Sequence, residues 1–546
     1  MQLSHLIREL QATRVVGPID RPISDVAYDS RRVEAGDVFV AIAGARCDGA
    51  TFIHQAIARG AVAIVTERDT PFDLEIPADR TLITVPDGRR ALALMAAARW
   101  EHPSRRLGVV GVTGTDGKTT TSTLIADLFD ASGERSGLWS TVEIRGSERK
   151  PNHTDRTTPE STELQAHLAD VASTGARWAV LELSSHGLAL ERATGCDLDV
   201  AVMTNLSPEH LDFHGTFESY RSAKARLFES IPAVVGAQAR RVGIINADDP
   251  SAQHFAQACR VDVLTYGLER RADVVARDVT LGLDRTSFVV DSPIGTHRVS
   301  TRLVGRFNVY NWLAAITVAI SQGLDWDVID RAADSIAPIR GRAHEVHAGQ
   351  PFTVLVDFAH TPRALASVLS DCRSLSTGRV IVVVGHPGER YALNRPRLGA
   401  AAVAGADLAI ITSDDSYGEE PAGIIGAIAE GARSAGGSEG RDYVVIPDRR
   451  EAIGAAVRAA QSGDIVLIAG RGHLSYQAIG ARRIPFDDAR VARDLLCEPG
   501  VDRSQANHRD SLFGAQDDGG QSAQRLGGRE QRRPAAANAS RWSPVQ

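Results

Sequence analysis

Residues 108–121 read GVVGVTGTDGKTTT. A short apolar, β-branched run stops at a glycine turn, and a lysine followed by threonines opens a helix. Gly114 and Gly117 let the backbone bring N–H groups up to an anion, and the helix N-terminus adds its partial positive charge. In such a loop Lys118 is predicted to reach the terminal phosphates of a nucleotide, while Thr119 offers its hydroxyl to Mg²⁺. The nucleotide-binding residues expected here are Gly114, Thr115, Asp116, Gly117, Lys118, Thr119 and Thr120. The spacing departs from the strict GxxxxGK[ST] form, because five residues separate Gly111 from Gly117. A phosphate loop alone leaves open a kinase, a GTPase, a motor or a ligase.

Downstream of the loop, apolar runs recur at WAVLELSS, LDVAVMTN and RVGIINADD. They predict a mostly parallel sheet covered by helices. TSFVVDSPIGTHRVSTRLVG alternates and predicts an antiparallel hairpin added to that sheet. NVYNWLAAITVAISQG reads as a helix closed by Gly323. After SIAPIRGRAHEV a second series appears, FTVLVDFAH, RVIVVVGH, DLAIITS, DYVVIP and DIVLIAGRG, which is Rossmann-like in pattern. Upstream, residues 1–105 mix short strands and helices. The fold class is therefore α/β in three domains. These are a small N-terminal α/β domain (1–105), a central P-loop ATPase-like domain (106–338) and a C-terminal Rossmann-like domain (339–497). The remainder, 498–546, has little to bury and is expected to be disordered.

The chain has 546 residues, 43% apolar and 24% charged, with a net charge of −7. That balance fits a soluble globular protein and argues against a dedicated nucleic-acid binder. Five scattered cysteines without a CxxC pair read as reduced thiols, and no apolar run is long enough to span a bilayer. A cytoplasmic monomer with no membrane insertion is the expectation.

Of the 61 basic residues only three are lysines, Lys118, Lys150 and Lys224. Arginine serves nearly every other cationic position, so Lys224, within SYRSAKARLF, invites a reason. Lysine differs in offering an amine once deprotonated. Such an amine can take up CO₂ as a carbamate, turning a cation into an anionic metal ligand. Glu182 closes the strand WAVLE at the edge where ligands bind in parallel sheets, well placed to hold a nucleotide-bound metal. His210, in NLSPEHLDFHG, follows the next strand and emerges at the same edge.

GTDGKTTT, ELSSHGL, TNLSPEHLDFHG and YRSAK occur in this order, followed by GRFNVYNWLAA, IRGRAHEV, VDFAHTPRAL and RRIPFDD. Together they resemble the Mur ligases, ATP-dependent amide-forming enzymes of peptidoglycan precursor synthesis, over residues 20–495. SSHGL, LDFHG and IPFDD resemble the branch that adds a diamino acid to UDP-N-acetylmuramoyl-L-alanyl-D-glutamate. The resemblance implies a catalytic set of Lys118, Glu182, His210 and Lys224. It implies Mg²⁺ held by Thr119 and Glu182, a second Mg²⁺ held by His210 and carbamylated Lys224, and ATP as the nucleotide. It matches Asn308 and Asn311 to the adenine side, and Arg342 and Asp357 to the nucleotide. Ser30, Ala45, Arg46 and Cys47 match positions for the uridine nucleotide, and Thr157, Thr158, Ser184 and Arg192 positions for the muramoyl dipeptide. Arg192 suits an anionic substrate because its fork pairs with carboxylate or phosphate. Arg390, Asp414, Asp415, Tyr417 and Gly470 fall in the segments that meet the incoming free amino acid.

Here the chain departs from the family. Members using meso-diaminopimelate carry Asp-Asn-Pro-Arg, with the arginine on the distal carboxylate; this chain has Asp414, Asp415, Ser416 and Tyr417. Leu474 also replaces the glutamate of GKGHE. Diaminopimelate is thereby disfavoured, and a cationic side chain such as lysine or ornithine suits Asp414, Asp415, Glu419 or Glu420. Alternatives are a ligase with another acyl substrate, of folylpolyglutamate-synthetase type, or an inactive nucleotide-binding paralogue.

Overall fold

The computed structural model describes residues 1–44, 47–67, 76–154, 156–232 and 239–498. Ala45 and Arg46, and the tail from residue 499 onward, lie outside them.

Strand Gly108–Thr113 is fully buried and sits between Trp178–Glu182 and Val200–Met203, both parallel to it. It belongs to an eleven-stranded sheet in the order 295–301, 286–292, 274–280, 263–267, 242–246, 200–203, 108–113, 178–182, 136–139, 143–145, 149–151. Chain order reverses on either side of the loop strand. Segments leaving the two neighbouring strands therefore face one crevice at the carboxyl ends. The expected antiparallel addition is present, with Thr286–Ser292 paired to Gly295–Thr301.

Both faces of this sheet are covered, which explains unbroken apolar runs in place of alternation. Helices Lys118–Ala131 and Arg306–Ser321 pack on one face with Val110, Val180 and Val202. Helices Ser161–Ser173 and Phe217–Glu229 cover the other, against Val109, Leu181 and Ala201. Helix Arg306–Ser321 ends as its sequence predicts: Gly323 has φ +85°, and Leu324 N–H returns to Ala319 O at 3.0 Å.

Upstream, a five-stranded sheet takes its strands from Arg14–Val16 to Thr81–Thr84, parallel except at the Arg14–Val16 edge. Downstream, a six-stranded sheet runs 344–345, 353–356, 465–468, 380–384, 408–411, 443–445, parallel except at its first strand. The run VIVVV at 380–384 is buried throughout. Val380, Val382 and Val384 face helix Pro362–Leu375, and Ile381 and Val383 face helices Arg449–Ala459 and Asp488–Cys497. A hairpin, Tyr476–Ile479 with Arg482–Pro485, lies beside this sheet. Among the described residues no helix is long and apolar enough to cross a membrane.

Candidate active site

The glycine loop adopts the conformation its residues allow. Gly114 has φ +149°, and a Cβ there would lie 1.8 Å from Thr204 Oγ1. Gly117 has φ +81° and caps helix Lys118–Ala131. The segment after strand Val200–Met203 braces the loop. Thr204 Oγ1 and Asn205 Nδ2 donate to Asp116 O at 2.6 and 3.0 Å, and Asp116 N donates to Asn205 Oδ1 at 3.0 Å. Thr115 Oγ1 lies 2.9 Å from the Tyr220 hydroxyl and accepts from Ser207 N at 3.0 Å. Lys118 Nζ folds back to Thr115 O at 2.8 Å. Thr120 is buried behind the loop in the first turn of the helix.

Glu182, at the end of its strand, accepts from Thr119 Oγ1 at 3.0 and 3.1 Å and from Thr141 N at 2.7 Å. Arg342, more than two hundred residues downstream, donates to the same Thr119 hydroxyl at 3.0 Å and stacks 4.6 Å from the Phe358 ring centroid. Asp357 is buried and accepts from Ala343 N and Ala359 N at 2.6 and 2.8 Å. Asn311 Oδ1 accepts from Thr121 Oγ1 at 3.3 Å, and Asn311 Nδ2 donates to Asn308 Oδ1 at 2.9 Å.

Lys224 is 1% exposed. It stands among Tyr220, Ala223, Leu227 and Phe228 on the buried stripe of helix Phe217–Glu229, whose N-cap is Thr216. Its Nζ donates to Gly114 O at 2.6 Å and lies 4.8 Å from the Tyr220 ring centroid. Burial, and then the charge of Lys118, push its pKa well below the ordinary lysine range. That shift weakens the hold on the proton and makes the amine easier to deprotonate than an exposed lysine.

His210 has φ +55° and precedes the short helix Leu211–His214. Its ring packs edge-on to His186, centroids 4.6 Å apart, and burial lowers its pKa. Sequence reasoning missed its neighbour. Glu209 bonds His360 Nε2 at 2.9 Å, and His360 Nδ1 lies 3.0 Å from Phe358 O. Burial opposes the charged form of Glu209, but the charges of His210 and His360 outweigh it and hold the carboxyl well below its usual range. Arg363 adds a bond to Leu206 O at 3.0 Å. The phosphate loop, Glu182, the 204–210 segment, Lys224 and residues 342–363 thus form one connected site.

The donor chemistry suits Mg²⁺ in part. Thr119 and Glu182 present hard oxygens, as Mg²⁺ prefers, and this ion needs only one or two protein ligands beside phosphate oxygens. Lys224 as an amine is a poor Mg²⁺ ligand; a carbamate on the same nitrogen would bring oxygens.

Around the crevice, Thr157 Oγ1 accepts from Thr141 Oγ1 at 3.0 Å, and Thr158 Oγ1 bonds Glu182 O at 3.2 Å and Ser184 N at 2.9 Å. Ser184 Oγ caps the next helix at Gly187 N. Arg192, expected at the muramoyl dipeptide, also has partners within the chain. Its buried guanidinium turns onto Glu160 at 2.6 Å and Thr158 O at 3.1 Å, because a cation taken from water needs a partner. It braces the Thr158 segment from beneath. In the first sheet's neighbourhood Ser30 Oγ donates to Gln55 Oε1 at 2.8 Å and Cys47 is exposed.

The segments expected to meet the incoming amino acid are also internally paired. Asp414 and Asp415 are buried, and Arg471, 0% exposed, bonds them at 2.9 and 2.6 Å. Asp415 also accepts from Ala478 N at 2.7 Å. Glu419 pairs with Arg395 at 2.8 Å. Of the four acids expected to meet a cationic acceptor, three therefore already hold an arginine. In sequence, Arg471 carries no signal that sets it apart from the chain's other arginines. Arg390 lies 5.3 Å over the Tyr417 ring, and Tyr417 has φ +48°. Gly470 has φ +105°, and a Cβ there would lie 3.0 Å from Asp414 Oδ2.

A phosphate loop on a parallel sheet, with Glu182 and a buried lysine delivered by the segments flanking it, belongs to an ATP-using enzyme. Family models for the Mur ligase family catalytic domain, the Mur ligase middle domain and the Mur ligase glutamate ligase domain match residues 22–100, 112–319 and 341–472. The chain is 43% identical over 509 residues to a UDP-N-acetylmuramyl-tripeptide synthetase of Roseiflexus sp., covering 92% of this chain and 99% of the relative. It is 40% identical over 498 residues to a UDP-N-acetylmuramoyl-L-alanyl-D-glutamate–2,6-diaminopimelate ligase of Syntrophomonas wolfei, covering 91% and 99%. A solved structure of a ligase with the latter name is 32% identical with a TM-score of 0.63, covering 91% and 98%. The fold also matches a MurF ligase from Thermotoga maritima in complex with ADP, at 22% identity and a TM-score of 0.58, covering 86% and 96%. The chain belongs to the Mur ligase family. It is an ATP-dependent ligase joining an acid to an amino acid.

Proposed function

We propose that this chain adds a free amino acid to the D-glutamyl carboxyl of UDP-N-acetylmuramoyl-L-alanyl-D-glutamate in the cytoplasm, as a step of peptidoglycan precursor synthesis. The relatives' names support this acyl substrate. Lys224 carries the chemical reading: a buried amine with a lowered pKa, touching the phosphate loop, is the kind of group that CO₂ converts to a carbamate, with loss of one proton. The carbamate would join His210 in holding a second Mg²⁺, with Thr119 and Glu182 holding the first. Mg²⁺ bound there would neutralise triphosphate charge.

The reaction proposed has two steps. Lys118 swings from Thr115 O to the terminal phosphates of ATP. The glutamyl carboxylate attacks the γ-phosphorus and ADP departs, leaving an acyl phosphate. The acceptor amine then attacks the acyl carbon, phosphate leaves, and the amine's proton passes to phosphate or solvent. The chain positions the reactants and stabilises charge, the main demand of phosphoryl transfer. Residues 1–105, 106–338 and 339–497 act as three bodies. Arg342, His360 and Arg363 couple the last two at the nucleotide.

For the acceptor we favour lysine or ornithine over diaminopimelate. Tyr417 has no guanidinium for a distal carboxylate. The buried set beneath it holds Asp414, Asp415 and Asp488 against Arg471 and Arg449. With all three carboxyls ionised, three acids face two arginines, and a cationic side chain would offset the remaining negative charge. Arg390 is left for the α-carboxylate. Phosphate release measured with the muramoyl dipeptide nucleotide, ATP and each amino acid tests the reading. Release requiring both substrates supports it, and no turnover with any amino acid favours a nucleotide-binding paralogue.

A further inference from the structure

Helix Arg306–Ser321 begins at Gly305, which has no side chain to cap it. The first turn of a helix leaves N–H groups without intrahelical partners, and a buried end needs them satisfied. Here the partner comes from another sheet's helix. Asp371, on helix Pro362–Leu375, accepts from Arg306 N at 2.8 Å. It is only 8% exposed. A Cβ at Gly305 would lie 2.8 Å from the Asp371 carboxylate, and Gly305 has φ +105°, so glycine is required both for the turn and for the approach. The adjacent Phe307 ring packs on the core of the six-stranded sheet, with Leu365 and Leu369.

The same helix turn reaches the nucleotide site. Asn308 bonds Asn311, which meets Thr121 and abuts Gly117 of the phosphate loop. We propose that Asp371 is a positioning residue: it caps helix Arg306–Ser321 across the junction of the two sheets, and so sets the nucleotide side of the site only when the C-terminal body is docked. The link to ATP rests on the function proposed above; the cap itself does not. An Asp at an N-cap serves through an acceptor oxygen, which Asn also supplies and Ala does not.

Two measurements on the full-length protein test this separately. In hydrogen–deuterium exchange, the amide of Arg306 exchanges about tenfold faster in Asp371→Ala than in the parent. Asp371→Asn stays within about twofold of the parent. Unchanged exchange in the alanine variant overturns the cap, whether or not the protein turns over substrate. In the ligation assay, once the parent forms product, Asp371→Ala raises KM for ATP about three- to tenfold. Its kcat stays within twofold, and Asn restores KM. Exchange that accelerates without any change in KM, or a KM rise that Asn fails to relieve, overturns the positioning role. Absence of product from the parent would count against the ligase reading and leave the exchange result to decide the cap.

Discussion

Replacing Arg471 with Met tests how the 413–418 loop and the hairpin beginning at Tyr476 are held together. Arg471 is 0% exposed and neutralises Asp414 and Asp415 at 2.9 and 2.6 Å. It also donates to Tyr476 O, tying the hairpin to the 413–418 loop. Removing one partner of a buried ionic group leaves uncompensated charge and costs about 3–5 kcal/mol. In a folding unit of this size each kcal/mol lowers Tm by roughly 2–4 °C, so the C-terminal transition is expected to fall by roughly 6–20 °C.

The pH dependence has a definite sign. Burial pushes Asp415 upward, while the arginines beside Asp414 outweigh its burial and hold it low. Without Arg471 both carboxyls lose their largest opposing charge and shift upward, Asp415 further above its unfolded value of about 3.9. A raised carboxyl favours the folded state below the unfolded pKa, and that contribution is lost as pH rises through the folded pKa. The variant's deficit should therefore be largest at neutral pH and shrink toward pH 4–5. Adding Asp415→Asn should recover part of it. Thermal unfolding at several pH values reads all three. A variant within 2 °C of the parent at neutral pH, or a deficit that grows on acidification, would refute the reasoning.

Lys224→Ala should lose roughly 10²–10³-fold or more in kcat and recover measurably with added short-chain carboxylic acids; near-parental activity without additive would remove the carbamate from the account. Gly117→Ala forces a side chain into φ +81° and to 2.3 Å from Asn311 Oδ1, so KM for ATP should rise roughly tenfold or more, and an unchanged KM would mean the loop does not cradle phosphate. Tyr417→Arg should raise the diaminopimelate-to-lysine ratio of kcat/KM by roughly 10- to 100-fold, the value of a charge-assisted pair, and an unchanged ratio would detach this position from acceptor choice.

Much of this was legible because the signals were local. A β-branched run, two glycines and a lysine suffice for strand, loop and helix, and the alternation at 286–301 specifies a hairpin. Lys224 was legible twice over. Its rarity drew attention, and its place at the 220, 223, 224, 227, 228 spacing of a buried stripe was there to be read. What escaped was long-range pairing between polar residues. Glu209 and His360 are 151 positions apart and Arg342 and Thr119 are 223 apart; no periodicity connects them. The arginines proved least legible. Arg471 resembles a surface cation in sequence and Arg192 a substrate anchor, and only the folded chain reveals them as buried partners of Asp414, Asp415 and Glu160.

The central claim is that the site activates a carboxylate by phosphorylation before the amine arrives. It is tested most directly with UDP-muramoyl dipeptide bearing ¹⁸O in the D-glutamyl side-chain carboxylate, turned over with ATP and lysine or ornithine. Mass spectrometry of the phosphate released should find one ¹⁸O atom per molecule, carried over from the acyl phosphate. Amide product accompanied by unlabelled phosphate would contradict the mechanism.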